Sequence, residues 1–385
     1  MRLLSLPNIF KGDYKRLLIA PAIVVALSLV LILVYPGVPA GIELKGGTLL
    51  TVYTTGSFDP HTVEAGLKAE LGVKEVSVRP FTNPQGQGAE IEIEANAALG
   101  DAETALKAVW PLLDERNSAE VERQYWEQQG QSANSTAAAA KVAELDAKIK
   151  TGAESVLVAA EKFIGPQSRP TEIPALVKAA EDAFSKAKDG YRTKILAVIQ
   201  QQIQVKDYTF KDVGPSLSSF FLTRAREVVI YSLILSAVLI FFVFRKLIPS
   251  VAVMSGAAFD IVAAMGAMAA FQIPLTLPSL ATLLMLIGYS LDTDVLLTIR
   301  VLKRAEMEPR ERAYGAMRTG ITMSIASIFA FGVLLVLSLM IQVPTYYQIA
   351  TVAMCGLLAD MVGTWFLNAP VVLWYAERKM RKVHG

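Results

Sequence analysis

Five ionisable residues lie in or beside long apolar stretches of the sequence: Asp260, Asp292, Asp294, Arg318 and Asp360. A carboxylate set in a bilayer-spanning helix costs roughly 2.5–3.5 kcal/mol on insertion scales, so such residues face a bundle interior, a watery cavity or a partner charge. Leu275–Arg304, LTLPSLATLLMLIGYSLDTDVLLTIRVLKR, holds two of them within one run of spanning length. Positions i and i+2 of a helix point about 200° apart, so Asp292 and Asp294 cannot share a partner. A rise of 1.5 Å per residue puts Asp260 about 15 Å, Asp292 about 25 Å and Asp360 about 21 Å into their helices. Arg318 enters the next stretch from the other side at a depth comparable with Asp292, so these two are expected to meet. Desolvation disfavours an ionised carboxylate and a nearby guanidinium favours it. A site balanced between the two can bind and release a proton, and the five residues are read as an intramembrane proton relay. The plainer readings are an ion pair that pins helices, or carboxylates that snorkel to water.

Such residues need a bundle to hold them, and the composition supplies one. The chain of 385 residues is 53% hydrophobic and 19% charged, with mean hydropathy +0.42, which fits a membrane part joined to a soluble part. Net charge +2 gives no reason to expect nucleic acid. Cys355 is the single cysteine, so no disulfide forms within the chain, and with His61 and His384 far apart in sequence a zinc site is not expected. Neither a cofactor nor an enzymatic activity is expected of the chain. Leu17–Tyr35 is 19 uncharged residues, longer than the roughly 7–15 of a signal-peptide core, and reads as a retained span. Val228–Phe244, Ser250–Phe271, Leu275–Ile299, Thr319–Ile341 and Tyr346–Tyr375 make six spans in all. Lys and Arg crowd residues 1–16, Arg245-Lys246, the segment from Arg300 to Arg312, and Arg378–Lys382, whereas Gln272–Pro274 and Gln342–Thr345 are uncharged. Basic loops stay cytoplasmic, so both termini are expected inside and the large domain outside. The expected division is 1–35 for the N-terminus and first span, 36–226 for the extracytoplasmic domain, 227–376 for spans two to six and 377–385 for a cytoplasmic tail.

Within 36–226, Gly41–Thr54 reads as a strand with a bulge or close backbone approach at Gly46-Gly47. Asp59-Pro60 opens a helix that stops near Gly72. Lys74–Pro80 and Ala89–Ala95 alternate as half-buried strands around an NPQGQG loop. Asp101–Leu113 is a second helix and Gln204–Val213 the last strand, giving an α+β ferredoxin-like unit. Residues 114–203 interrupt it with apolar positions three and four apart (Val142, Leu145, Ile149; Leu176, Ala180, Phe184), turning at Gly165–Pro170. This insertion reads as a helical hairpin, a solvated decoration or, alternatively, an arm for a partner or an unfolded chain. Asn134-Ser135-Thr136 matches the short glycosylation pattern.

Four segments carry a family resemblance. Gly41–Leu50 (GIELKGGTLL), Val213–Leu217 (VGPSL), Gly288–Asp294 (GYSLDTD) and Met317–Thr322 (MRTGIT) come in the order of the motifs of the SecF subunit of the SecD/SecF protein-export complex, which the sequence resembles in its archaeal branch. Gly46, Gly47, Gly214, Pro215, Gly288 and Ser290 are the structural motif positions. The bacterial SecF aspartate of the fourth-span motif falls on Thr293, while Asp292 aligns with the aspartate of the SecD motif, and Phe259-Asp260 stands where bacterial SecF has His-Asp. The resemblance implies an α-helical six-span half-bundle of the RND superfamily. It implies a SecD-like sister subunit for the other half, the Sec translocon and unfolded preprotein as further partners beside membrane lipid, and coupling to the proton gradient. An RND-type small-molecule or lipid exporter half is the alternative. An intramembrane aspartyl protease would need two carboxyls sharing a proton, and its motifs are absent.

Overall fold

A computed structural model describes residues 7–83, 86–303, 307–341 and 343–384 of the chain. Arg2, part of the NPQGQG loop, Arg304 and Gln342 lie outside them. Two units separate, Met1–Gly41 with Leu222–Gly385, and Ile42–Phe221.

In the membrane unit, a 3-10 turn over Tyr14–Leu18 leads into α1 (Ile19–Leu33). The next unit begins with a single helical turn, α2 (Ile42–Lys45), before β1 (Gly47–Thr54), so the first six of the fourteen residues of the predicted strand are not part of it. The cause is Gly46, left-handed at φ 78, which breaks the chain direction. A β-carbon on Gly47 would collide with the Ile93 carbonyl, the close approach expected there. The register shift lies instead at Tyr53/Thr54. Helix α3 (Pro60–Leu71) starts on Asp59, whose carboxylate accepts from the backbone N–H of His61 and Thr62, and stops on left-handed Gly72. Strands β2 (Val76–Asn83) and β3 (Gly86–Glu94) follow, running further into the connecting loop than predicted. With β4 (Val205–Val213) they form an antiparallel sheet of order β2-β3-β1-β4, the split βαβ arrangement.

The insertion departs from its prediction. Helix α4 (Ala97–Gln128), capped by Asn96, does not stop near Leu113 but continues through Pro111. It packs against α5 (Ser132–Ile164), which returns to α6 (Ile173–Gln200). Ala153, Val156 and Leu157 of α5 and Leu176, Ile195 and Ile199 of α6 share one core with Leu50, Ile91 and Ile93 of the sheet. Over that length the insertion is core and not solvated decoration. Further out, Val109, Ile149 and Val177 form a small cluster of their own, and Ala119, Val142 and Leu145 another.

The remaining helices are α7 (Pro215–Phe244), α8 (Leu247–Ala270), α9 (Leu277–Lys303), α10 (Pro309–Ile341), α11 (Pro344–Val362) and α12 (Ala369–His384), the last two joined by a π-helical turn, Gly363–Asn368. Among the described residues, six segments are long and apolar enough to cross a membrane: Tyr14–Leu33, Pro215–Phe244, Leu247–Ala270, Leu277–Lys303, Pro309–Ile341 and Thr345–Arg381. Small residues allow close packing: a β-carbon on Gly266 of α8 would lie 2.5 Å from the Ser28 hydroxyl of α1, and one on Gly356 of α11 would strike Leu286 of α9. Half of the α8 and α11–α12 windows is buried, against 11% for α1, α7 and α10. The polar residues that matter are held by the buried set.

Candidate functional site

Helix α9 presents its two aspartates to opposite surroundings, as their spacing requires. Asp294 is fully buried and Asp292 is exposed. Asp294 lies directly on the backbone of α8 at Gly256, where any β-carbon would strike its carboxylate. Asp260, four residues further along α8, is 1% exposed and sits against the π turn, its Oδ1 2.9 Å from where a β-carbon of Gly363 would be. Asp360 of α11 completes the group at 2% exposure. Its charge acts on both of the others.

The three carboxyls differ in their bonding. Asp360 Oδ1 accepts from the hydroxyls of Thr293 (3.0 Å) and Thr364 (3.1 Å), which are 3.2 Å apart, while its Oδ2 has no hydrogen-bond partner. Both oxygens of Asp260 and both of Asp294 are buried without one. Ser290 lies beside Asp260 and Asp360, Ser324 of α10 beside Asp360, and Asn368 beside Asp294. No Lys, Arg or His among the described residues pairs with any of the three acids. A buried charge without a counter-charge is unfavourable by several kcal/mol, so this arrangement can exchange a positive charge with its surroundings far more readily than an ion pair can. No group of three or more His, Cys, Asp or Glu among the described residues could hold a metal ion.

The expected meeting of Asp292 with Arg318 is not made within this chain. Neither side chain has a hydrogen bond or ion pair with any described residue, and both are exposed. The physical reason is a helix start. Helix α10 begins at Pro309, ten residues before the apolar run, and Arg300 of α9 donates to the Gly315 carbonyl (2.8 Å) and the Thr319 hydroxyl (2.9 Å). Arg318 is thus level with Arg300, and Asp292 is eight residues, about 12 Å, further along α9. Arg300, read from sequence only as a loop charge, is the basic residue that joins α9 to α10.

The motif residues fall in two places. Gly47 pairs with Val213 across β1 and β4. Gly214 lies under the Glu103 carboxylate, and the Pro215 ring covers Gly100, where a β-carbon would sit 2.7 Å away. Gly46, Gly47, Gly214 and Pro215 therefore join both ends of the α+β unit, beside a cavity of about 60 Å³ lined by Thr48, Tyr191, Arg192 and Asp212. Ser290 belongs to the acid cluster, whereas Gly288 is exposed on the same side of α9 as Asp292. The sequence reading missed Thr293 as a hydrogen-bond donor, Ser324, Thr364 and Asn368. Their signal was present, since Asp360, Thr364 and Asn368 recur every four residues in an apolar run.

Residues 193–378 match the family model described as protein export membrane protein SecD/SecF, C-terminal. A protein-export membrane protein SecF of Methanothermobacter thermautotrophicus is 43% identical over 171 residues, 44% of this chain and 60% of that one. That of Thermococcus gammatolerans is 35% identical over 234 residues, 61% of this chain and 71% of that one. The crystal structure of SecDF, a translocon-associated membrane protein from Thermus thermophilus, superposes with a TM-score of 0.51 over 95% of this chain and 59% of that one, at 16% identity, a likeness of fold. The chain spans 60% and 64% of the first two curated relatives it matches.

Proposed function

The chain belongs to the SecF family of protein-export membrane proteins, and on that premise we propose that it assists Sec-dependent export as the partner of a SecD-like subunit, driven by protons that load the buried acid cluster. The observation that carries the reading is the convergence of Asp260, Asp294 and Asp360 from three spans without a basic partner among the described residues. The relatives are export proteins, so the small-molecule or lipid exporter has no support among them.

A proton has an evident point of action. Asp360 Oδ1 is the acceptor that ties Thr293 of α9 to α11. Hydrogen bonds to an ionised acceptor are roughly twice as strong as neutral ones, so loading Asp360 loosens that joint. At its other end α9 is tethered by backbone: the Leu275 N–H donates to the Pro39 carbonyl (2.7 Å), and the Leu275 carbonyl accepts from Gly41 N–H (2.9 Å). Gly41 directly precedes the α+β unit in the chain.

Exposed Asp292 and Arg318, charged and unpartnered on spanning helices, mark in this reading the side that the SecD-like subunit covers. The basic residues Arg245, Lys246, Arg300, Lys303, Arg310, Arg312, Arg378 and Arg381 flank one set of helix ends, which supports cytoplasmic termini and an extracytoplasmic α+β domain in the cell membrane. There the domain would meet unfolded preprotein at the Sec translocon. The test is joint. Co-purification brings down a SecD-like chain, and Asp292→Asn or Arg318→Met slows secretion at normal protein levels. Homo-oligomers alone, or wild-type secretion in both variants, contradict the proposal.

A further inference from the structure

Two rows of polar side chains line the interior of the membrane unit. On α9 they are Ser290, Asp294 and Thr298; on α11 and the π turn they are Asp360, Thr364 and Asn368. A spacing of four keeps each row on one helix face, and all six side chains are at most 2% exposed. The rows run side by side, since Thr293 bonds to Asp360 and Thr364, and Asn368 lies beside Asp294. Their distinctive feature lies outside the acids. The Ser290 and Thr298 hydroxyls and both polar atoms of the Asn368 amide are fully buried and close no hydrogen bond, although Asn368 and Ser290 stand beside the carboxyls.

Buried polar groups are almost always satisfied, by protein or by ordered water, and a buried water typically takes about three such partners. Orphaned hydroxyls, an orphaned amide and orphaned carboxyl oxygens along one seam meet that requirement repeatedly. A dry apolar pocket would not, nor would a simple helix-pinning ion pair. We propose that the two rows enclose a file of bound water, about 12 Å long from Ser290 to Thr298, running from the acid cluster toward the end of α9 that bears Arg300. The proton route then lies inside this chain, and not only along the surface that a sister subunit covers. Its use as a proton route rests on the relay proposed above; its hydration does not.

Because Cys355 is the only cysteine, the file can be probed with single thiols in a Cys355→Ser background. The full-length protein in proteoliposomes carries either Thr298→Cys or Leu297→Cys, the latter adjacent, equally buried and aimed into apolar packing. Silver ion, about the size of water, is applied, and the thiol left over is counted after denaturation. Thr298→Cys is expected to react at least tenfold faster than Leu297→Cys; equal rates overturn the file. Ser290→Cys repeats the comparison at the other end if Thr298→Cys does not fold. In the same background, Asp360→Asn separates the two ideas. Fast silver reaction with undiminished proton flux leaves the file and removes the relay. Slow reaction with lost flux removes the file and leaves the relay.

Discussion

Asp212 and the acid cluster solve the same problem in opposite ways. Asp212, at the end of β4, has a side chain only 10% exposed. It accepts from the Thr48 hydroxyl at 2.7 Å and from the Arg192 guanidinium, with Lys188 at 3.4 Å. Burial pushes its carboxyl up, but the bonds from Thr48 and Arg192 and the two positive charges outweigh it and hold it below the usual carboxylate range. Asp260, Asp294 and Asp360 are buried more deeply, and no cation among the described residues answers them. A carboxylate with two cations stays ionised and ties α6 of the insertion to β4. Three carboxyls with hydroxyls and an amide have no such tie, and in the proposed function they are the acids that change charge. On that proposal, where the counter-charge lies separates a structural acid from a working one.

That contrast can be broken at several points, the largest effect first. Deleting residues 117–202 should unfold the α+β unit, because it removes Leu157, Leu176, Ile195 and Ile199 from the shared core. At roughly 2–5 kcal/mol per buried Leu or Ile, these four alone come to about 8–20 kcal/mol, as large as a domain's typical 5–15 kcal/mol. Removing only the outer ends of α4 and α5, between Glu115 and Lys141, which pair at 2.9 Å, should leave a folded protein. Limited proteolysis and circular dichroism separate the two, and a folded large deletion would return the insertion to decoration.

Next, Asp294→Asn and Asp360→Asn should cut proton-coupled secretion by tenfold or more while the melting temperature holds or rises, since an unpaired buried charge is lost. Asp212→Asn should do the reverse, lowering stability by ~1–2 kcal/mol, discounted for the partial exposure of Arg192 and Lys188, with little direct effect on flux. Smaller again, Asp292→Asn should alter stability by less than about 0.5 kcal/mol, as an exposed substitution does, and act only on secretion.

The pH profile sharpens the comparison further. The folded pKa of Asp212 is lowered, so its contribution is present above the unfolded value of about 3.9 and is lost as pH falls through the folded value. Glu90 and Glu92 of β3 are raised by burial, which the Arg79 charge only partly offsets. Their contribution is present below the unfolded value of about 4.3 and is lost as pH rises through their folded values. The acid limb of melting temperature against pH should therefore become shallower in Asp212→Asn, and the decline above about pH 4.3 shallower in Glu90→Gln with Glu92→Gln.

Much of this was legible in the sequence because the signals are local. Asp59, Pro60 and Gly72 bracket a helix by chemistry confined to its ends. Long apolar runs identify spans, and the strand–helix order fixes the sheet. Other features depend on what a face packs against, which periodicity does not tell. The spacing of Val142, Leu145 and Ile149 shows that α5 buries one side, but not that its continuation through Leu157 enters the sheet's core. The charged first turns of α10 hid its true start at Pro309 and so misplaced Arg318. The acid cluster needed the mutual register of α8, α9 and α11, and that register is set by close contacts at Gly256 and Gly363 with no pattern of their own.

The central claim is that the buried acids carry charge in the working cycle. Proton influx into proteoliposomes holding the complex with its SecD-like partner, compared between wild type and Asp360→Asn under an imposed pH gradient, tests it most directly. Influx that falls at least tenfold in a variant melting no lower than wild type is the predicted result. Wild-type influx in a folded Asp360→Asn protein would contradict it.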